Sequence, residues 1–163
     1  MSSTKPKKHN VFISHSSKNA EEVKSLIERL KEKGHEVRNS SIEKDEYRDY
    51  KVKDETIKRD LRDGIKWAGT CILLIGKDTL KSPWVDYELE YARKQGKRVV
   101  GIYVYGLADK VELPDEIKKS IFSLIGWSSV DKLGEILDGN YHPMENPDSS
   151  PAKPFFEMKP IRC

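Results

Sequence analysis

Glu88 stands on a helix face that is otherwise apolar. Ser82-Pro83 reads as a helix start with proline at the first position. From there Val85, Leu89 and Ala92 recur at the spacing of one helix face. At about 100° per residue, Glu88 falls within the arc of Trp84, Val85, Tyr91 and Ala92, whereas Asp86, Glu90 and Lys94 fall on the far side. A carboxylate on an apolar face is costly unless something partners it. Two readings stay open. Either the helix is slightly rotated and Glu88 makes an ordinary salt bridge at the edge of the face, or the carboxylate is held desolvated, where it could stabilise a developing positive charge.

Other polar residues gather where a parallel sheet would place a site. Ser14-His15-Ser16, Asn39-Ser40-Ser41 and Gly76-Lys77-Asp78 each follow an apolar, strand-like run. Ligands of open parallel sheets bind outside the carboxyl ends of the strands, and all three polar groups fall at that edge. The serine-rich turn could cradle a phosphate, although Ser-x-Ser turns are common. A single loop histidine such as His15 is more often a surface or hydrogen-bonding group than a catalyst. His9, His35 and His142 have no metal-ligand spacing with one another or with cysteine, so no metal is expected.

The elements that must position these residues alternate. Val11-Phe12-Ile13 reads as a buried strand. Asn19 and Glu22 resemble a capping box, followed by Ala20, Val23, Leu26, Ile27 and Leu30 at helical spacing and Gly34 as a stop. His35–Arg38 is a short strand, and residues 39–53 form a long polar loop of the kind that is functional or disordered. Asp54 caps a second helix with Ile57, Leu61 and Ile65 facing inward, and Cys71–Ile75 is apolar at every position, as a central parallel strand should be. After the helix that carries Glu88 come a strand over Arg98–Tyr105, a helical turn over Pro114–Lys119, a strand over Phe122–Trp127 and a helix over Val130–Leu137. The expected class is α/β, a three-layer sandwich around a mostly parallel sheet of about five strands.

Composition sets the limits. The 163 residues fit one domain, with 36% hydrophobic and 35% charged side chains. Thirty basic residues against 27 acidic ones leave a net charge of +3, too balanced to argue for nucleic acid. No apolar run approaches the roughly 20 residues of a membrane span, and the first ten residues lack the apolar stretch of a secretory signal. Two cysteines are too few for a disulfide framework, and Cys71 reads as a small buried hydrophobe. A cytoplasmic location follows from these absences. The division expected is a flexible leader at 1–8, a domain at 9–138 and a proline-rich tail at 139–163. Five of the eight prolines fall between Pro143 and Pro160, so the tail is expected to lack regular structure and to be dispensable for folding, with Phe155, Phe156 and Met158 available to dock back.

Two stretches carry a resemblance. Asn10-Val-Phe-Ile-Ser-His-Ser-Ser-Lys18 resembles the opening strand and loop of TIR domains. Leu74-Ile-Gly-Lys-Asp-Thr-Leu-Lys-Ser-Pro-Trp-Val-Asp-Tyr-Glu-Leu-Glu90 resembles the TIR segment that holds the enzymatic glutamate, in the form of the TIR-like branch found in Thoeris anti-phage defence. The likeness spans roughly Asn10 to Tyr105. It implies a flavodoxin-like fold, Glu88 as the catalytic residue, and Phe12, Ser14, His15, Asn39, Ser40 and Trp84 around the substrate. The activity implied is cleavage of NAD, used as a substrate and not as a cofactor, with release of nicotinamide and an ADP-ribose-derived, cyclic product. Implied partners are further copies of the chain in a homo-oligomer or TIR-TIR assembly and a separate effector reached through the product, with neither nucleic acid nor membrane. The alternative is a non-enzymatic TIR module that self-associates or acts as a signalling adaptor. A receiver domain or flavin carrier of the same fold fits poorly, because a receiver needs an acidic cluster where this chain has Ser14-His15-Ser16.

Overall fold

The computed structural model describes residues 8–15, 20–39, 54–76, 83–104, 113, 115–140 and 142–152, with the backbone alone at 20, 39, 54–57, 83–86, 116–117 and 120. Most of the expected leader, Asn19, the loop after Asn39, residues 77–82 and the aromatic pair Phe155-Phe156 lie outside these described residues.

Strands and helices alternate: β1 (Asn10–Ser14), α1 (Ala20–Glu32), β2 (Glu36–Asn39), α2 (Asp54–Trp67), β3 (Thr70–Ile75), α3 (Pro83–Lys94), β4 (Arg98–Tyr103), α4 (Asp115–Ser120), β5 (Ile121–Ile125) and α5 (Leu133–Leu137), the last preceded by a 3-10 segment, Trp127–Lys132. The strands form one parallel sheet in the order β2-β1-β3-β4-β5. β3 is central and buried at all six positions, as its unbroken apolar run requires. Pleating sends alternate side chains to opposite faces. Val11, Ile13, Ile72, Leu74, Val100 and Ile102 meet α1 and α5 on one side. Phe12, Cys71, Leu73, Ile75 and Val99 meet α2 and α3 on the other. The architecture is the expected three-layer α/β sandwich, and among the described residues no helix is long and apolar enough to cross a membrane.

Several boundaries differ from the sequence expectation for local reasons. β2 starts one residue late, because His35 is buried and its Nδ1 accepts the His9 N–H at 3.1 Å. The helix expected over Val130–Leu137 opens as a 3-10 segment. Trp127, Val130 and Leu133 are three residues apart, which matches three residues per turn. β5 ends at Ile125, short of Trp127, because the Gly126 N–H turns away to the Glu145 carboxylate at 3.0 Å.

That contact belongs to a larger docked segment. Residues 142–152 hold no helix or strand beyond the isolated bridge Glu145–Pro151, as the proline content suggests, yet they pack against the end of β5. Glu145 is 8% exposed. Its N–H donates to the Leu124 carbonyl at 2.9 Å, and its carboxylate meets Gly126 N–H, Ser129 Oγ at 2.9 Å and His142 Nε2 at 2.9 Å. The segment then folds on itself through Asn146 N–H to Ser150 O (2.8 Å) and Ala152 N–H to Met144 O (2.9 Å). Gly126 is what admits it: a Cβ there would lie 2.8 Å from Ser149 N and 3.0 Å from Pro147 O. Proline content hides this arrangement because a buried carboxylate that gathers donors leaves no apolar period.

Glu145→Gln keeps the side chain's size but weakens three charge-assisted bonds, so it should lower unfolding free energy by about 1–3 kcal/mol. Removing residues 140–163 should leave a chain that still unfolds cooperatively but at a lower urea midpoint. An unchanged midpoint in either variant would show that the docked segment contributes nothing to stability.

Candidate active site

The order β2-β1-β3-β4-β5 reverses direction at β1. Its next neighbour in sequence lies on one side and β3 on the other, and the carboxyl ends of strands at such a reversal are where ligands of open parallel sheets bind. Ser14 pairs with Leu73 across this boundary. Phe12 faces the α2–α3 layer, and alternation along β1 puts Ser14 on that same face. Ser14 is 3% exposed and His15 6%. Gly76, immediately after β3, is buried as well.

α3 leads from this edge back across the sheet. Glu88 is 2% exposed, beside Leu89 at 5% and Ala92 at 1%. Glu90, two residues on and therefore about 200° away, is solvent-facing and pairs with Lys94 at 3.2 Å. Glu88 is therefore not at an exposed edge of the helix, and the exposed i,i+4 pair of α3 is Glu90–Lys94. Within the same layer lies Cys71, a free thiol. Burial pushes it up to about 12, the Glu88 carboxylate adds to the rise, and Lys97 opposes it. Glu88 is buried near enough to Cys71 to add to that rise, and the thiol stays neutral at physiological pH.

Of the seven expected site residues, Phe12 and Ser14 share one face of β1, Glu88 is buried on α3 in the helix layer packed on that face, and His15 is buried just past the end of β1. Asn39 ends β2, the strand beside β1. Trp84 is in the first turn of α3, one turn before Glu88. The side chains of both lie outside the described residues, and so does Ser40. Phe12 is also a packing residue. Its ring lies so close to α2 that a Cβ on Gly64 would fall 2.6 Å from Cε2. The Ser14 hydroxyl is buried and has no hydrogen-bond partner among the described residues. Ser123 on β5 is in the same condition, but it pairs with Val100 and so faces the α1–α5 layer, on the opposite face of the sheet from Ser14. Among the described residues no three His, Cys, Asp or Glu side chains are grouped to hold a metal ion.

Sequence reasoning did not find the ties that surround α3. Arg62 donates to the Tyr87 hydroxyl at 3.3 Å, and Lys58 lies 5.5 Å from the centre of the Tyr87 ring. The only signal was Lys58 and Arg62 at i,i+4 spacing on α2, which any solvated helix face also shows.

Residues 12–109 match the family model described as Thoeris protein ThsB, TIR-like domain. The chain belongs to that family. The match covers every residue named above as an expected site residue and ends before β5 and the docked segment 142–152. Among solved structures, the TIR-like chain is similar to that of Clostridium botulinum CMP N-glycosidase, BcmB, at 19% identity and a TM-score of 0.52, covering 79% of this chain and 98% of that one. At that identity the likeness speaks for the fold, which agrees with the flavodoxin-like strand order. A search of curated proteins returns no match.

The two buried serines, one on each face of the sheet, allow a stability test. Removing a buried hydroxyl that makes no bond eliminates its desolvation cost. Ser14→Ala and Ser123→Ala should each hold or raise unfolding free energy, by up to about 1 kcal/mol. A loss of 1 kcal/mol or more by denaturant titration at either position would mean that the hydroxyl is satisfied in the folded protein.

Proposed function

We propose that this TIR-like domain cleaves NAD, releasing nicotinamide and forming an ADP-ribose-derived signal, cyclic in form, within anti-phage defence. The observation that carries the reading is the 2% exposure of Glu88 on the sheet-facing side of α3, within a family match that includes it. In NAD the nicotinamide ring is cationic. When the bond from its nitrogen to ribose C1′ breaks, the bonding pair goes to that nitrogen and the ring leaves as a neutral molecule, so no general acid is needed. The positive charge passes to the ribose as it becomes oxocarbenium-like, and a carboxylate held out of water stabilises that charge or grips the ribose hydroxyls. Water then gives ADP-ribose and a proton; attack by a group of the same molecule closes a ring.

In this reading Glu88 is catalytic. Phe12, Ser14, His15, Asn39, Ser40 and Trp84 surround the substrate, further copies of the chain complete the pocket, and the product reaches a separate effector. The Ser14 hydroxyl, buried and without a hydrogen-bond partner among the described residues, supports a ligand contact there, because a polar group kept buried at a cost is usual where a ligand completes its bonding.

A second reading has one observation in its favour. The neighbour of like fold is a CMP N-glycosidase, so the substrate could be a pyrimidine nucleotide. The chemistry separates the two. Cytosine leaves as an anion unless it is protonated, so a second group would have to act as acid. Offering NAD and CMP to the same preparation decides between them.

Glu88→Gln and Glu90→Gln form a matched pair, since each keeps side-chain volume and removes one negative charge. Glu88→Gln should cut nicotinamide release by roughly a hundred-fold or more, and Glu90→Gln should leave it within about two-fold. Thermal melting must show both variants folded. A folded Glu88→Gln protein with near-normal release would overturn the mechanism.

A further inference from the structure

Glu88 acts on one spot only if α3 is held at one rotation about its own axis. Leu89 and Ala92 seat the helix on the sheet, but they fix its height better than its roll. A roll of about 20° moves a group at the helix's outer radius of roughly 5–6 Å by about 2 Å, and a displacement of about 1 Å can already cost a hundred-fold in rate.

The restraint against rolling lies at the neighbouring residue. Tyr87 is half-buried and packs against the same core layer as Leu89. Its hydroxyl accepts from Arg62 Nη1 at 3.3 Å, and the Lys58 ammonium is 5.5 Å from its ring centre. Both cations belong to one face of α2. That helix is pinned in turn, because the Phe12 ring fills the space beside Gly64 and Leu61 and Ile65 are buried at 2% and 0% exposure. A chain of contacts therefore runs from β1 through Phe12 and Gly64 to α2, and from Arg62 to Tyr87, the residue next to Glu88.

Resting on the reading of Glu88 given above, we propose that Arg62 and Tyr87 are positioning residues that set the roll of α3 and so the aim of the Glu88 carboxylate. Neither needs to touch the substrate. Their loss should appear in the chemical step and leave substrate binding alone, and because breaking the Arg62–Tyr87 bond from either side removes the same contact, the two effects should not multiply.

The experiment is a double-mutant cycle on nicotinamide release from NAD, with Glu88→Gln measured alongside. Tyr87→Phe removes only the hydroxyl and keeps the ring under Lys58; Arg62→Ala removes the donor. Each single substitution should lower kcat roughly ten-fold with KM within about two-fold. The double variant should be no slower than the slower single, and melting temperatures should show all of them folded. Unchanged kcat in a folded Tyr87→Phe protein, a change confined to KM, or two losses that multiply in the double variant would each overturn the proposal. If those results come with an inactive Glu88→Gln, the positioning role alone fails. A fully active Glu88→Gln overturns the catalytic reading and the positioning role together.

Discussion

A carboxyl group buried against an apolar sheet is the constraint around which this domain is arranged. Glu88 is 2% exposed on a helix whose neighbouring inward residues are Leu89 and Ala92, a placement that costs several kcal/mol unless the surroundings offset it. The same desolvation makes the carboxylate effective. In a water-excluded site an anion acts on nearby developing charge with little screening. The nearby Cys71 thiol is pushed up to about 12, by burial first and by Glu88 second, and so stays neutral.

The sheet supplies the rest of the geometry. Parallel strands in the order β2-β1-β3-β4-β5 bring the carboxyl ends of β1 and β3 together at the reversal of strand order, and α3 begins from that edge. Phe12 shows how closely site and core are joined. It stands two residues before Ser14 on the same face, yet its ring is spent against Gly64 of α2. A residue expected at the substrate thus also sets the distance between sheet and helix. At the other end of the sheet order, the docked segment 142–152 closes the end of β5 through the buried Glu145, outside the stretch that matches the family.

What the sequence revealed depended on periodicity. The unbroken apolar run Cys71–Ile75 placed the central strand, and helical spacing around Val85, Leu89 and Ala92 marked Glu88 as inward-facing and Glu90 as outward-facing, as the Glu90–Lys94 pair confirms. Aperiodic contacts were not legible. Glu145 stands among prolines with no apolar rhythm, and its burial depends on donors from Gly126, Ser129 and His142, which only the folded chain collects. The Arg62–Tyr87 bond joins residues 25 apart on the flanks of two helices, where exposed charge is the ordinary pattern. Nothing in the sequence around Gly64 signals the Phe12 ring that occupies the space beside it. Element boundaries shifted where a local bond outweighed the pattern, as at His35 and Gly126.

The most direct measurement is mass spectrometry of the small molecules formed when the folded protein is incubated with NAD, taken over a wide range of protein concentration. A desolvated carboxylate that stabilises a cationic ribose predicts free nicotinamide, accumulating mole for mole with an ADP-ribose-derived product. NAD recovered intact at every protein concentration would contradict it, and so would cleavage of NAD at any bond other than the one between nicotinamide and ribose.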